Sequence, residues 1–85
     1  MLKMVIKNYK IEFSNIYAYW EFEKGFDLKK HYNDVPVVVG GFEDGHIEVT
    51  YSLPIWKLNN LVANVKKFNK YSKFYGLDYA AKLVG

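Results

Sequence analysis

The chain has 85 residues, of which 51% are hydrophobic and 25% charged, and its net charge is +3. A chain of this length forms one domain and buries only about 60% of the surface that its unfolded form exposes, so most large apolar side chains are needed in the core. Cysteine and arginine are both absent, which excludes disulfides, thiolate chemistry, cysteine-ligated zinc and the bidentate contacts of arginine.

The composition also predicts where the protein works. A cysteine-free chain suits a reducing, cytoplasmic compartment, and Lys7 interrupts the apolar N-terminus before the hydrophobic region of a signal peptide can form. The apolar runs 16–20 and 35–39 are far shorter than the roughly 20 residues that a membrane-spanning helix needs. The abundance of lysine, asparagine and tyrosine is typical of AT-rich coding DNA and suggests a low-GC genome or its mobile elements, such as phages and plasmids.

The first predicted element is a β-hairpin over residues 3–23. Apolar and polar residues alternate up to Phe13, which is the pattern of a half-buried strand. Ser14 and Asn15 suit a two-residue turn, because asparagine tolerates a positive φ. The alternation resumes over 16–23 and predicts a second strand. Its core face would carry Ile16, Ala18, Trp20 and Phe22, and its outer face Tyr17 and Tyr19.

A second hairpin is predicted over residues 35–53, after a connection over 24–34 that contains one helical turn capped by Asp27. Asp44 and Gly45 are a strong signal for a type I′ turn. Pairing about this turn sets Phe42 opposite Ile47, Gly40 opposite Val49 and Val38 opposite Tyr51.

A long amphipathic helix is predicted over residues 54–76. Its apolar stripe, at the i, i+3, i+4 spacing, consists of Ile55, Leu58, Leu61, Val62, Val65, Phe68 and Tyr75. Gly76 suits the left-handed position that ends a helix in a Schellman motif, and Asp78 could cap a last short helix over 78–84. The predicted fold class is therefore α+β: a four-stranded antiparallel sheet made of two hairpins, with one face covered by the C-terminal helix.

The sheet face turned away from this helix is the first candidate binding surface. Its members by register are Tyr17, Tyr19, Val37, Val39 and Thr50. An exposed apolar patch of this kind contacts a protein partner or a second copy of the chain. The connection over 24–34 could instead fold across this face as a third layer.

The outer face of the long helix is the second candidate surface. It collects Lys66, Lys67, Lys70 and Lys73, with Phe74 among them and Tyr71 beside them. Residues 54–85 carry six lysines and one acidic residue, a net +5, whereas residues 1–53 carry a net −2. Such a face can bind a phosphate backbone or an acidic partner. In the simpler interpretation the lysines only solvate the helix, and Phe74 packs against the short terminal helix.

Candidate catalytic groups are few. Asp27 and His31 would lie one helical turn apart, and Asp44 and His46 flank a hairpin tip, but neither pair has the third group that a metal site or a triad requires. The common phosphate-loop, dinucleotide, zincin and hydrolase motifs do not occur. We therefore expect a binding domain without enzymatic activity, metal or cofactor. A protein partner is the leading hypothesis, as for a phage or plasmid inhibitor or accessory protein, and sequence-tolerant nucleic-acid binding is the alternative.

Overall fold

The computed structural model describes residues 6–25, 37–40 and 44–84. Two helices pack on an antiparallel sheet, so the fold is α+β. The elements in chain order are β1 (Ile6–Phe13), α1 (Ile16–Gly25), β2 (Val37–Val39), β3 (Ile47–Pro54), a 3₁₀ turn (Ile55–Lys57), α2 (Leu58–Phe74) and β4 (Ala81–Leu83).

The sheet has the strand order β2-β3-β1-β4, with every neighbouring pair antiparallel. β1 and β3 pair over their whole length, from Ile6 opposite Pro54 to Phe13 opposite Ile47. The short β4 extends this three-stranded sheet at the free edge of β1. The described elements thus follow the β-α-β-β-α-β order of the ferredoxin-like arrangement.

The core lies between the sheet and the two helices. Phe13 from β1, Phe22 from α1 and Phe68 from α2 meet there, with ring centroids 5.3 Å apart for the first two and 5.8 Å apart for the last two. Tyr51 of β3 is also buried, and its hydroxyl donates to Glu23 Oε1 at 2.7 Å. Burial, and then the Glu23 carboxylate, raises the pKa of Tyr51 far above its ordinary value. Both helices therefore cover the same face of the sheet.

The prediction of a first hairpin is wrong, because residues 16–25 form a helix. Asn15 is its N-cap rather than part of a β-turn, since its side-chain Oδ1 accepts the Ala18 N–H at 2.8 Å. Ala18 and Phe22 lie one turn apart and are buried against the sheet. Trp20, which the alternation assigned to the core, is exposed.

The prediction of a helix over residues 78–84 is also wrong, because this segment contains β4. Since α1 is not a strand, β1 has a free edge, and β4 pairs with it. Asn69 of α2 holds β4 there: its amide donates to the Ala81 carbonyl and its Oδ1 accepts the Ala81 N–H, both at 2.8 Å. The Ser14 hydroxyl accepts the N–H of Ala80 at 2.9 Å and fixes the start of the strand.

β2 and β3 pair antiparallel, as the second hairpin requires, but in a different register. Val38 lies opposite Val49 rather than Tyr51, a shift of two residues. Gly45 has a φ of +80°, which agrees with its predicted place in the turn. The predicted partner Phe42 lies outside the described residues. The predicted connection over 24–34 lies outside them as well, except for Lys24 and Gly25, which form the end of α1.

The C-terminal helix packs on the sheet as predicted, over 20 residues including its 3₁₀ turn. Its end is the predicted Schellman motif. Gly76 has a φ of +66°, its N–H donates to the Lys73 carbonyl at 3.2 Å, and the Leu77 N–H donates to the Ser72 carbonyl at 2.8 Å. Because the α-helix ends at Phe74, the exposed Tyr75 lies beyond it and not on the buried stripe.

Candidate functional site

The sheet face turned away from the helices is polar. Lys10 Nζ lies 3.6 Å from Glu48 Oε1, and the Ser52 hydroxyl donates to Asn8 Oδ1 at 2.7 Å. Each of these contacts joins β1 to β3, so the charges and hydrogen-bonding groups of this face largely satisfy one another. Thr50, which was predicted for this face, lies on it opposite Lys10.

Two tyrosines that were predicted for an apolar patch on this face do not lie on it. Tyr17 and Tyr19 lie on α1, on the other side of the sheet. The Tyr19 ring packs edge-on against Phe13 with 5.6 Å between centroids, and burial raises its pKa. Val37 and Val39 lie opposite Thr50 and Glu48 in the backbone register. The side chains of these two valines are outside the described part of the chain.

The outer sheet face also differs from the sheet of RNA-recognition modules. Those modules stack bases on aromatic side chains that project from a four-stranded sheet. At the described positions of this face in β1, β3 and β4 there is no aromatic residue, and Glu12 and Glu48 are acidic. The described part of this face therefore lacks the stacking groups with which such modules hold bases.

Four lysines are brought together on α2, as predicted. Lys66, Lys67, Lys70 and Lys73 are all exposed, whereas the buried residues of this helix are Leu61, Val65, Phe68 and Ser72. The sequence contains no acidic residue from Pro54 to Leu77. Nor do these lysines form a salt bridge with any residue in the described ranges. Within the described part of the chain, no carboxylate therefore neutralises them.

Three exposed aromatic side chains adjoin these lysines. Phe74 is 79% exposed, Tyr75 61% and Tyr71 50%. The Tyr75 ring lies 4.9 Å from that of Phe74 and 4.7 Å from that of Tyr71, measured between centroids. Together these residues form what we call the lysine-aromatic face: Lys66, Lys67, Lys70, Tyr71, Lys73, Phe74 and Tyr75.

The expectation that Phe74 packs against a terminal helix is wrong. The segment after Gly76 runs to the edge of β1 as β4 and leaves the Phe74 ring in solvent. Tyr75 was also predicted for the buried stripe, because the helical period was extended past the end of the helix. The glycine at position 76 is the signal that could have placed Tyr75 outside the helix.

A cleft of about 360 Å³ opens between α1 and α2. Phe22 and Phe68 contribute its apolar floor, and Glu21 lies on its α1 side. Lys67 and Tyr71 line the cleft from α2 and also belong to the lysine-aromatic face. The two features are thus continuous on the surface.

The predicted Asp44–His46 pair is joined by a third residue. His46 Nδ1 lies 3.0 Å from Asp44 Oδ2 and 3.0 Å from Glu12 Oε1. Both carboxylates converge on one nitrogen, so the arrangement ties the hairpin tip to β1. Among the described residues there is no group suited to hold a metal ion. The other predicted pair, Asp27 and His31, lies outside them.

No helix within the described ranges is long and apolar enough to cross a membrane. Comparisons with protein-family models, with curated proteins and with solved structures found no match. Function is therefore inferred from the chemistry of the lysine-aromatic face and of the cleft beside it.

Proposed function

We propose that the protein is a non-enzymatic binding domain that holds single-stranded nucleic acid on its lysine-aromatic face. The observation that carries this proposal is Phe74, which is 79% exposed among lysines that have no acidic neighbour on their helix. Burying a phenylalanine side chain contributes about 1.5–3 kcal/mol, which this ring does not gain within the chain. A contiguous exposed aromatic patch normally marks a contact surface.

The lysines suit a phosphate backbone in number and spacing. From Lys66 to Lys73 the helix rises about 10 Å, at 1.5 Å per residue. At the spacing of about 3.4 Å that one strand has in B-form DNA, about three phosphates fit that length. Neutralising them releases counterions, which favours binding at low salt.

The aromatic side chains favour single strands over duplexes. Stacking of a base on a protein aromatic ring contributes about 1–3 kcal/mol, and only an unpaired base has a face free for it. Because the chain has no arginine, it lacks the rigid fork that reads guanine edges. Binding on this face is therefore expected to tolerate many sequences.

Fluorescence anisotropy tests the proposal directly. Fluorescein-labelled oligothymidylate should bind more tightly than a duplex of equal length, and log K should fall linearly with log salt, with a slope of about −2 for three phosphates. Poly-L-glutamate is the control for a general attraction to anions. Absence of oligonucleotide binding at low salt, or equal binding of polyglutamate, would contradict the proposal.

A protein partner is the second candidate function, and one observation on α1 favours it. Tyr17 and Trp20 are both more than half exposed, and their rings meet edge to face at 5.5 Å. Tyrosine and tryptophan are enriched at the centres of protein interfaces. An inhibitor or accessory protein of a phage or plasmid could contact its target, or a second copy of itself, through this pair.

Two measurements test the second candidate. Under it, a protein should remain bound to the immobilised domain after nuclease treatment of a cell extract, and the Trp20→Ala variant should release it. A self-contact should appear in light scattering as a dimer that Trp20→Ala dissociates. A monomer that retains no protein after nuclease treatment would exclude this candidate.

A further inference from the structure

We infer that the cleft between α1 and α2 receives one base of the bound strand, and that it prefers a base with an exocyclic amino group. This inference rests on the proposed function, because the strand is held on the lysine-aromatic face. The volume of about 360 Å³ lies at the small end of the range of ligand pockets. Phe22 and Phe68 offer apolar contact to a flat ring at the floor.

The cleft adjoins the place where the backbone would lie. Lys67 and Tyr71 line the cleft and also belong to the lysine-aromatic face. A phosphate bound at Lys67 would bring its attached base to the mouth of the cleft. This continuity of charge and shape favours a nucleotide over an uncharged ligand.

The polar groups of the cleft supply hydrogen-bond acceptors. Glu21 Oε1 accepts from Lys24 Nζ at 2.8 Å, and no donor in the described residues contacts its Oε2. The Asn64 side-chain amide donates to the Asn60 carbonyl at 2.7 Å, and its Oδ1 likewise has no donor among the described residues. Within the described part of the chain these two acceptors have no donor, and we assign them to the ligand.

Glu21 Oε2 and Asn64 Oδ1 could accept the two N–H groups of an exocyclic amino group on the base. Cytosine presents a donating amino group at the position where thymine presents an acceptor oxygen, and carboxylates accept from that amino group in known complexes. The Glu21 carboxylate would repel the thymine oxygen. The cleft should thus add a preference for cytosine at one position of a strand that the rest of the face binds without selection.

Gly25 provides a variant that closes the cleft. It is the last residue of α1, its φ lies outside the left-handed region, and a Cβ built there meets no atom of the described residues within 4 Å. Because Gly25 lines the cleft, a leucine at this position is expected to narrow it. Asn59→Leu is the matched control, because Asn59 is exposed on α2 and does not line the cleft.

Anisotropy with labelled oligodeoxycytidylate and oligothymidylate is the test. The native protein should bind the cytidylate roughly tenfold more tightly, and Gly25→Leu should abolish this difference while Asn59→Leu retains it. Equal affinity of the native protein for the two probes would overturn the inference and leave the proposed function standing. Failure of both probes to bind would overturn both.

A second readout does not depend on the folding of the leucine variant. In the native protein, oligodeoxycytidylate should shift the backbone amide NMR signals of Gly25 and Asn64 as well as those of the lysine-aromatic face. Shifts confined to that face would show that no base enters the cleft.

Discussion

The outer sheet face and the lysine-aromatic face differ in how their charges are satisfied. On the sheet, Lys10 pairs with Glu48, and His46 lies between two carboxylates. On α2, the lysines have no acidic residue on their own helix, and Phe74 remains in solvent beside them. On the described part of the first surface most charges lie next to an opposite charge, whereas the second surface presents one sign of charge and exposed aromatic rings.

This difference shows why charge counts alone do not locate a binding surface. Both faces carry lysines, but exposed ion pairs such as Lys10 with Glu48 contribute at most about 1 kcal/mol to stability and leave little net field for a ligand. Unpaired charges of one sign attract a counter-charged partner over a Debye length of about 8 Å at physiological salt. The lysine-aromatic face is therefore where an anionic partner should bind.

Removal of three lysine charges from α2 and, separately, from the strands should produce the largest contrast. The triple variant Lys66→Gln, Lys70→Gln, Lys73→Gln should bind oligothymidylate at least about 100-fold more weakly at low salt and keep only about one third of the salt dependence, because Lys67 remains.

The matched control is Lys7→Gln, Lys10→Gln, Lys82→Gln, which removes the same charge from β1 and β4. Its affinity should fall much less, because only the long-range attraction changes. Equal losses for the two triple variants, measured by anisotropy, would mean that net charge and not the face determines binding.

The Asn69→Ala variant should have the next largest effect, on stability. It removes both hydrogen bonds to Ala81 and leaves the partly buried backbone groups of β4 without partners. We expect the free energy of unfolding to fall by about 1–3 kcal/mol and the Ala81 amide to exchange faster with solvent. Asn59→Ala, on the exposed side of the same helix, is the control and should be neutral or slightly stabilising, because alanine is the better helix former. A similar loss in that variant would show that the effect does not come from the contacts with Ala81.

The Phe74→Ala variant should separate binding from folding. Affinity for oligothymidylate should fall roughly tenfold because one stacking contact is lost. The free energy of unfolding should change by less than about 0.5 kcal/mol, because the ring is mostly in solvent.

The buried Phe68 is the comparison for Phe74. Phe68→Ala should destabilise the fold by about 3–5 kcal/mol in chemical denaturation. A large loss of stability in Phe74→Ala would mean that its ring belongs to the core and not to a binding surface.

The smallest effect is expected for Glu48→Gln on the sheet. It breaks an exposed ion pair with Lys10, so the unfolding free energy should change by less than about 1 kcal/mol. Oligothymidylate affinity should stay within about twofold, with any increase caused by the loss of one negative charge. A marked fall in affinity would place the binding surface on the sheet.

The sequence predicted those parts of the fold that depend on local patterns. The strand ending at Phe13, the strand beginning at Ile47 and the Schellman end at Gly76 each have a single dominant pattern. The segment 16–25 has no single dominant pattern, because the spacing of Ala18 and Phe22 fits both the alternation of a strand and the period of a helix. The choice between them depends on β1 pairing with β3, which is a contact between distant parts of the chain.

The candidate site was likewise predicted only where it depends on a local pattern. Its lysines and Phe74 follow from helical periodicity, which placed them opposite the buried stripe. The exposure of Phe74 depends on the path of the chain after Gly76. The two hydrogen bonds between Asn69 and Ala81 fix that path by holding β4 against β1. The cleft could not be predicted, because α1 was not identified as a helix.

Mapping the contact on the native protein tests the central claim most directly. In an NMR titration of the isotope-labelled protein with oligothymidylate, the account predicts that backbone amide shifts concentrate between Lys66 and Tyr75, with little change at Lys10, Thr50 and Ser52. Shifts concentrated on β1 and β3, or none at low salt, would contradict it.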